Sequence, residues 1–342
     1  MRVVVVGATG AVGLNILSIM EERDFPVDEL VPVASSRSIG RKLPFRDGPV
    51  EVVGLTPDVF DGADIAVFDV DDPLAETWAP VAASAGAIVV DNSAAWRMDP
   101  QVPLVVPEVN PDAVHDRPKG IIASPNCTTL AMIVPLAALH RQIPVERLIV
   151  SSYQAASGSG KAGIDDLWDQ TVQVAAAPEQ VEVGMCREVL SPGKAFTHPI
   201  AMNFIPQCGS VKDDGYTSEE LKLCHETRKI MGLPDLMVTA TCVRVPVAVG
   251  HGVAVHAEFA EPIDPDHARK WLAEADGVEV LDDPANGVYP TALEAAGRDA
   301  CFVGRIRRDP FNDRALKMFC VADNLRKGAA LNTIQVAELL VN

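Results

Sequence analysis

The sequence predicts an α/β fold in two parts, a doubly wound parallel sheet followed by a second, α+β domain. Two observations support this prediction. An apolar strand runs directly into a glycine-rich turn and a helix, and short apolar runs then alternate with helical or loop segments. The length of 342 residues agrees, since an ordinary domain takes roughly 150. With 48% hydrophobic and 22% charged residues, the chain has the composition of a globular protein.

The first strand is predicted at Val3–Val6, which is β-branched and continuously apolar, as in a strand buried on both faces of a sheet. Apolar residues between Val12 and Met20 then recur at helical spacing, and Leu30–Ala34 predicts a second strand. Further strands are predicted at Ile65–Phe68, Ala87–Val90 and Ile121–Ala123. These elements define a first domain over residues 1–127.

Three glycines, Gly7, Gly10 and Gly13, stand between the first strand and the first helix. They allow a tight turn in which N–H groups at the start of the helix face an anion such as a pyrophosphate. A strand before the glycines and a helix after them favour a dinucleotide site over a purely structural turn.

The end of the second strand favours NADP over NAD. An acidic residue at this position holds the ribose of NAD, but here the strand is followed by Ser35, Ser36 and Arg37. Hydroxyl groups and a guanidinium suit a 2′-phosphate, which arginine binds bidentately. A solvated basic turn is the structural alternative.

The second domain is predicted over residues 128–324, and a C-terminal helix within 325–342 is expected to complete the first. The predicted elements are helices at Thr128–His140, Ser218–Met231 and Asn332–Leu340, and strands at Leu148–Tyr153, Val238–Val249 and Val253–Ala260. Thr217 and Glu220 have the spacing of a capping box. Pro246 is expected to break its strand.

Cys127 stands where a predicted strand ends and a helix begins. The positive end of the helix dipole lowers the pKa of a thiol there and favours a thiolate nucleophile. A thiolate needs a proton acceptor, and His251 lies between glycines in the strand-rich region. Neighbouring Asn126 is a candidate for orienting an oxyanion. A buried structural cysteine is the alternative, and the other six cysteines are interpreted as structural.

Four further residues have both a structural and a functional interpretation. Glu219 and Lys222 lie three apart on one helix face, where a solvated ion pair is the simpler interpretation. Gln154 follows a strand and precedes a loop of small residues, from which an amide can reach a ligand. Arg97 follows another such loop. Gln154 and Arg97 are equally well read as ordinary loop residues.

The net charge of −18 argues against nucleic-acid or membrane binding. The cysteines are scattered without zinc-ligand spacing, which predicts no metal site and favours a reducing compartment. No apolar run reaches the roughly 20 residues that span a bilayer. We therefore expect a cytoplasmic protein.

Taken together, these segments resemble the aspartate-semialdehyde dehydrogenase family over nearly the whole chain. The matching segments are Gly7–Gly13, Ala34–Ser38, Asp91–Arg97, Pro125–Thr129, Ser152–Gly158, Pro199–Pro206, the helix with Glu219 and Lys222, Thr241–Pro246, Gly250–His251, Gly304–Asp309 and Asp323–Asn332. The resemblance implies a Rossmann-type dinucleotide-binding domain and a catalytic and dimerisation domain resembling that of glyceraldehyde-3-phosphate dehydrogenase. It also implies NADP as the cofactor and a homodimer.

The resemblance implies a role for each candidate residue. Cys127 is then the nucleophile and His251 the general acid and base, while Gln154 positions the acyl group and Asn126 supports the site. The implied substrate contacts are Arg244 to the α-carboxylate, Glu219 to the α-amino group, and Lys222 and Arg97 to phosphate. The implied cofactor residues are Gly7, Thr9, Gly10, Ala11, Val12, Gly13, Ser35, Ser36, Arg37, Ser157, Gly158 and Asn324.

The implied reaction reversibly reduces L-aspartyl 4-phosphate to L-aspartate 4-semialdehyde through a cysteine thioester, and it supplies lysine, methionine and threonine synthesis. Two alternatives stay open: a related reductase for an N-acetylglutamyl phosphate-like substrate, and a paralogue that has lost hydride transfer. One segment departs from the family, because Asp69, Asp71 and Asp72 replace a small-residue loop that approaches the cofactor. Carboxylates there repel the cofactor unless they turn outward or bind a cation.

Overall fold

The structure, a computed structural model, describes residues 1–341, which form two compact units. The first unit consists of Met1–Asn126, His225–Pro234 and the chain from Arg326 onward. The second unit consists of Cys127–Cys224 and Asp235–Leu325. The functional domains expected from the sequence, 1–127 with 325–342 and 128–324, stay a prediction.

The secondary structure alternates strands and helices through the first unit and is richer in strands in the second. The strands are β1 (Arg2–Val6), β2 (Glu29–Ala34), β3 (Lys42–Phe45), β4 (Gly48–Glu51), β5 (Val53–Gly54), β6 (Ile65–Phe68), β7 (Ile88–Asp91), β8 (Ile121–Ala123), β9 (Val145–Gln154), β10 (Met237–Arg244), β11 (His251–Phe259), β12 (Val278–Val280), β13 (Cys301–Arg308) and β14 (Ala315–Ala322). The helices are α1 (Ala11–Glu22), α2 (Asp72–Ser84), α3 (Cys127–His140), α4 (Gly160–Ala175), α5 (Pro178–Glu182), α6 (Ser218–Met231), α7 (Pro265–Ala273), α8 (Ala292–Ala295) and α9 (Leu331–Glu338).

The first unit contains a parallel sheet in the order β5-β2-β1-β6-β7-β8. The predicted doubly wound fold is confirmed. The winding direction changes between β1 and β6, and in such sheets the crevice at the carboxyl ends of the strands beside this point binds ligands. Val3–Val6 of β1 is buried, in agreement with its continuous β-branched character.

Helix α9 belongs to the first unit, where its apolar residues Leu331 and Ile334 join the core that α1 lines. A wide helical turn before α9 contains Lys327, whose side chain is buried. The Lys327 ammonium donates to both oxygens of Glu108, each at 2.8 Å, and to Gln335 at 2.8 Å. Burial alone raises the pKa of Glu108, but the adjacent ammonium outweighs it and lowers that pKa.

The second unit contains a mixed sheet in the order β10-β9-β11-β14-β13-β12. The β9–β10 and β12–β13 pairs are parallel and the other pairs are antiparallel. Helix α3 packs against β11, β13 and β14 and is buried along nearly its whole length, which explains why its sequence is apolar on all sides. The predicted mixed α+β fold is confirmed.

The capping box at the start of α6 is also confirmed. The Thr217 N–H donates to the Glu220 carboxylate at 2.7 Å, and the Glu220 N–H donates to the Thr217 hydroxyl at 3.3 Å. These two bonds satisfy backbone groups at the start of the helix that lack partners within it.

The sequence-based boundaries need two corrections. The strand expected to reach Val249 ends at Arg244, because the following segment turns away and Pro246 has no N–H for a sheet hydrogen bond. Helix α4 was not predicted, because its first residues continue a run of glycine and serine typical of a loop. Among the residues that the structure describes, no helix is long and apolar enough to cross a membrane.

Candidate active site

Cys127 and His251 lie together in the second unit although 124 positions separate them in sequence. Cys127 is the first residue of α3 and His251 the first of β11. The Cys127 Sγ atom lies 3.3 Å from the His251 Nε2 atom. Cys127 is partly exposed, whereas the His251 side chain is buried. The pair therefore has the geometry of a nucleophile beside its proton-transfer partner.

The backbone fixes which nitrogen of His251 carries the proton. The Ala155 N–H donates to His251 Nδ1 at 3.0 Å, so Nδ1 is the acceptor and the neutral ring carries its proton on Nε2, facing the sulfur. Burial, followed by the nearby positive charge of Arg244, holds the pKa of His251 well below its usual range. The ring is therefore neutral near pH 7 and donates an N–H toward Cys127.

Gln154 and Glu219 form a buried polar group next to the start of α3. The Gln154 amide nitrogen donates to the Thr128 hydroxyl and, at 3.1 Å, to the Glu219 carboxylate. Lys222 lies 3.6 Å from the same carboxylate, so the predicted pair is present but its acidic member is buried. The Gln154 amide oxygen is buried and has no hydrogen-bond partner among residues 1–341. A buried oxygen of this kind points to a ligand that donates a hydrogen bond.

Arg244 lies on the same side of the mixed sheet, because it pairs with Gln154 at the ends of the parallel strands β10 and β9. Its guanidinium donates to the Ala155 carbonyl at 2.7 Å. Gly158 allows this close packing, since a Cβ atom there would lie 2.6 Å from Arg244 and 3.1 Å from the ring of His251. The second unit therefore gathers a thiol, an imidazole, a carboxylate and a guanidinium.

Ser157 and Asn324 bond to each other and to the turn that leads into β11. The Asn324 amide nitrogen donates to the Ser157 hydroxyl at 2.9 Å, and the Asn324 oxygen accepts the Gly250 N–H at 2.9 Å. Both side chains are buried. This network fixes the residue before His251, and the cofactor contact expected of these two residues stays a prediction.

In the first unit, the glycine turn between β1 and α1 is sterically required. Gly7 has a φ of +97°, and a Cβ atom there would lie 2.0 Å from the Asp69 carbonyl oxygen. A Cβ atom on Gly13 would lie 2.2 Å from the Gly7 carbonyl oxygen. Glycine alone fits both positions. Gly10 occupies the N-cap position of α1 and has no side chain to cap the helix, and it lines a cavity.

This cavity has a volume of about 690 Å³, within the size range of small-molecule sites. Its lining includes Thr9, Gly10, Ser35 and Ser36, as the sequence predicts for a dinucleotide site. Arg37 is exposed in the next turn and does not line the cavity. Ala11 and Val12 are the first residues of helix α1 and do not line it either.

The acidic segment divides into two parts. Asp72 accepts the Ala94 N–H at 2.8 Å, outside the cavity, whereas Asp69 and Asp71 line it. The Asp69 carboxylate accepts a hydrogen bond from the Asn92 amide at 3.0 Å and another from the Gly13 backbone. Among residues 1–341, no group of three or more histidine, cysteine or acidic side chains is arranged to hold a metal ion.

Arg97 is buried in the first unit and joins three segments of it. Its guanidinium donates to the carbonyls of Ser124 at 2.9 Å and Asn92 at 2.8 Å, and to the Glu226 carboxylate at 3.1 Å. The other Glu226 oxygen accepts the backbone N–H of Asn126 at 2.7 Å. Arg97 and Glu226 therefore fix the backbone immediately before Cys127.

Sequence reasoning missed Glu226 and Lys229. The Lys229 ammonium donates to the carbonyls of Arg97 at 2.7 Å, Asp99 at 2.8 Å and Val102 at 2.7 Å. Burial lowers the pKa of Lys229, and the nearby carboxylates Asp99 and Glu226 oppose that shift. A signal was present in the sequence, because Glu226 interrupts the apolar face of a helix.

Comparisons with known proteins agree with this arrangement. Residues 2–117 match the model of the semialdehyde dehydrogenase NAD binding domain, and residues 136–327 match that of the semialdehyde dehydrogenase dimerisation domain. The chain is 47% identical to aspartate-semialdehyde dehydrogenase of Aquifex aeolicus, with 99% of this chain and 98% of the relative covered. It is 49% identical to that of Streptomyces akiyoshiensis, with the same coverage.

A solved structure gives the same result. The crystal structure of aspartate semialdehyde dehydrogenase II from Vibrio cholerae, complexed with ASA, superposes with a TM-score of 0.93 at 42% identity, and the match covers 99% of this chain and 98% of that one. The resemblance seen in the sequence motifs is thereby confirmed. The chain belongs to the aspartate-semialdehyde dehydrogenase family.

Proposed function

We propose that the protein is an NADP-dependent aspartate-semialdehyde dehydrogenase that reversibly converts L-aspartyl 4-phosphate to L-aspartate 4-semialdehyde and phosphate. The 3.3 Å approach of Cys127 Sγ to His251 Nε2 carries this proposal. The names of the relatives and the V. cholerae complex with ASA support the substrate. The reaction serves amino-acid biosynthesis, and the seven free cysteines are compatible with a reducing cytoplasm.

The charged groups of the second unit suit an amino-acid substrate. Arg244 binds the α-carboxylate, since a planar guanidinium matches a carboxylate. Glu219 binds the α-ammonium, which also distinguishes this substrate from an N-acylated one such as N-acetylglutamyl phosphate. The unpartnered oxygen of Gln154 lies beside Glu219 and accepts a hydrogen bond from the substrate. Lys222 supplies positive charge for phosphate. The phosphate contact that the resemblance implies for Arg97 stays a prediction, because its guanidinium is buried and bonded within the first unit.

The chemistry of this chain's residues follows from the His251 tautomer. The Cys127 thiolate, which accepts the Nε2–H of His251, attacks the acyl carbonyl. A C–S bond forms, the C–O bond to phosphate breaks with its electron pair on phosphate, and a thioester remains. The Nε2–H donates a hydrogen bond to the substrate oxygen as negative charge develops there, and to the Cys127 sulfur again when the C–S bond breaks. The start of α3 stabilises the sulfur anion.

The first unit would hold the dinucleotide, which supplies or accepts hydride when bound. The glycine turn fits a pyrophosphate, because Gly7 and Gly13 bring backbone close to the cavity with no room for a Cβ atom. Ser35 and Ser36 line the cavity, and Arg37 follows them at an exposed position, a sequence that favours the 2′-phosphate of NADP. An aspartate semialdehyde dehydrogenase of Candida albicans, 25% identical with a TM-score of 0.75, was solved with NADP, which supports this choice.

The experiment is phosphate-dependent reduction of NADP by the purified full chain with L-aspartate 4-semialdehyde. We expect Cys127→Ala to lower kcat by at least about a thousandfold, whereas Cys186→Ala, which alters another partly exposed cysteine, keeps activity. Retained activity in Cys127→Ala would contradict the proposal, as would the absence of turnover by the folded wild type. Full activity on an N-acylated substrate would replace it with the acetylated-substrate alternative.

A further inference from the structure

The cavity beside the glycine turn has an unexpected charge for a site that binds a polyanion. Among the described residues that line it, the ionisable ones are Asp69 and Asp71, and none is a lysine, arginine or histidine. A dinucleotide brings at least two negative charges, and its pyrophosphate is the part that faces a glycine turn of this kind. The protein therefore places negative charge where the ligand is also negative.

Asp69 is the closer of these two carboxylates to the turn. It follows β6 at the carboxyl edge of the sheet, and one oxygen would lie 3.7 Å from a Cβ atom built on Gly10. Asn92 holds the carboxylate from the neighbouring strand end at 3.0 Å, and the Gly13 backbone in the first turn of α1 holds it from the helix. The Asp69 carboxylate therefore accepts a backbone N–H at the N-terminus of α1, the end of the helix that attracts anions.

The surroundings of Asp69 supply little to offset its charge. Asn92 and the glycine turn are neutral, Asp71 adds a second negative charge, and Asp72 lies in the same segment bonded to Ala94. Asp91, at the end of β7, accepts a hydrogen bond from the Ser93 hydroxyl at 2.6 Å. Its charge interacts favourably with the nearby positive charge of Arg97. Burial raises the pKa of Asp69, which agrees with a carboxylate that has no cationic partner among residues 1–341.

We propose that the Asp69 carboxylate is an internal competitor of the dinucleotide pyrophosphate at the start of α1, so that this chain binds its cofactor more tightly when Asp69 is neutral. The inference rests on the proposed function, because it assumes that a dinucleotide enters this cavity. Protonation of one carboxyl group then accompanies binding. Ionised Asp69 repels the pyrophosphate and accepts a strong hydrogen bond from the Gly13 backbone. Neutral Asp69 repels the pyrophosphate less and accepts a weaker hydrogen bond from Gly13.

The test is the dissociation constant of NADPH, measured by fluorescence titration of the full chain without substrate from about pH 6 to about pH 9. For the wild type we expect affinity to fall as pH rises, by up to about tenfold per pH unit once Asp69 ionises. Asp69→Asn keeps the shape and the acceptor oxygen but has no charge. We expect it to bind at least about tenfold more tightly than the wild type near pH 8 and to lose most of the slope.

Asp71→Asn is the matched control, because it removes a charge from the same cavity at an exposed position. We expect it to keep the pH slope of the wild type. The 2′-phosphate of NADPH titrates in a similar range, so the same comparison is made with NADH, which lacks that group. Melting curves of each variant establish that it is folded.

The outcomes separate the inference from the proposed function. Parallel pH profiles for the wild type and Asp69→Asn, or equal affinities near pH 8, overturn the inference and leave the proposed function in place. The inference is also overturned if the pH dependence of the affinity disappears in Asp71→Asn and persists in Asp69→Asn. If the wild type and both variants are folded and none of them binds NADPH or NADH, the cofactor assignment on which the inference depends is wrong.

Discussion

At the scale of single residues, the central feature is a histidine kept neutral and in one tautomer. The Ala155 N–H occupies Nδ1 of His251, and burial together with Arg244 lowers the pKa of the ring. The neutral Nε2–H is then available to the Cys127 sulfur over a wide pH range. A histidine with its ordinary pKa would become charged within the physiological range.

This environment predicts the pH behaviour of His251. A depressed pKa means that the ring gains its second proton only below the usual value, so the neutral form persists as pH falls through about 6.5. In NMR titration of the seven histidines, with His251→Asn used to assign its signal, the His251 resonance should titrate with a midpoint below the ordinary histidine value of about 6.5. His251→Asn should also lower kcat by about 10²- to 10⁴-fold. A midpoint at or above 6.5 would contradict this account.

The sequence could nominate Cys127 and His251 but could not bring them together. Cys127 was recognisable from its strand-to-helix junction, which is a local signal. The position of His251 depends on the order of the strands in the mixed sheet. The start of β11 lies beside the end of β9, and the end of β10 lies on the other side of β9. That order involves contacts across more than a hundred residues. The resemblance to a family supplied what periodicity could not.

At the scale of elements, α6 contributes residues with quite different tasks. Its first turn carries Glu219 and Lys222 of the candidate substrate site. Its later turns carry Glu226 and Lys229, which hold the Arg97 segment by side-chain and backbone contacts. Pattern analysis identified the helix and its cap correctly. It missed the later pair, because a charged residue on a helix is exposed by default and only tertiary packing shows otherwise.

The Arg97–Glu226 contact predicts a large loss of stability in Glu226→Gln. Both side chains are buried, at 8% and 1% exposed, so the change removes the carboxylate that directly contacts the buried Arg97 charge. We expect the free energy of unfolding to fall by about 3 to 5 kcal/mol. Urea denaturation followed by circular dichroism measures it. Because Glu226 also holds the Asn126 N–H, we expect kcat to fall in the fraction that remains folded.

The matched control is Asp165→Asn, which breaks the exposed Lys161–Asp165 pair, whose contact distance is 2.6 Å. An exposed pair of this kind contributes less than about 1 kcal/mol. Similar losses in the two variants would mean that burial of Arg97 and Glu226 adds nothing to their interaction, against the account given above.

At the scale of the whole molecule, the second unit presents an apolar surface that its own chain leaves exposed. Trp168 and Val172 lie four residues apart on α4 and are 68% and 54% exposed. Gln170 on the same helix accepts the backbone N–H groups of Ile200 at 2.7 Å and Ala201 at 3.1 Å, which brings the following segment against α4. That segment carries Met202 and Phe204, which are 63% and 71% exposed. Exposed aromatic and methionine side chains are typical of protein interfaces.

Because residues 136–327 match a dimerisation domain, we expect a second copy of the chain to cover this surface. Trp168→Asp places a charge among the exposed apolar residues of α4 and should convert a dimer to a monomer at micromolar concentration, because an unpaired buried charge is strongly unfavourable. Sedimentation equilibrium measures the mass. Phe311→Asp is the control, since Phe311 is 97% exposed in the loop between β13 and β14 and should leave the dimer intact. A monomeric wild type, or a Trp168→Asp dimer as stable as that of Phe311→Asp, would show that this surface has another role.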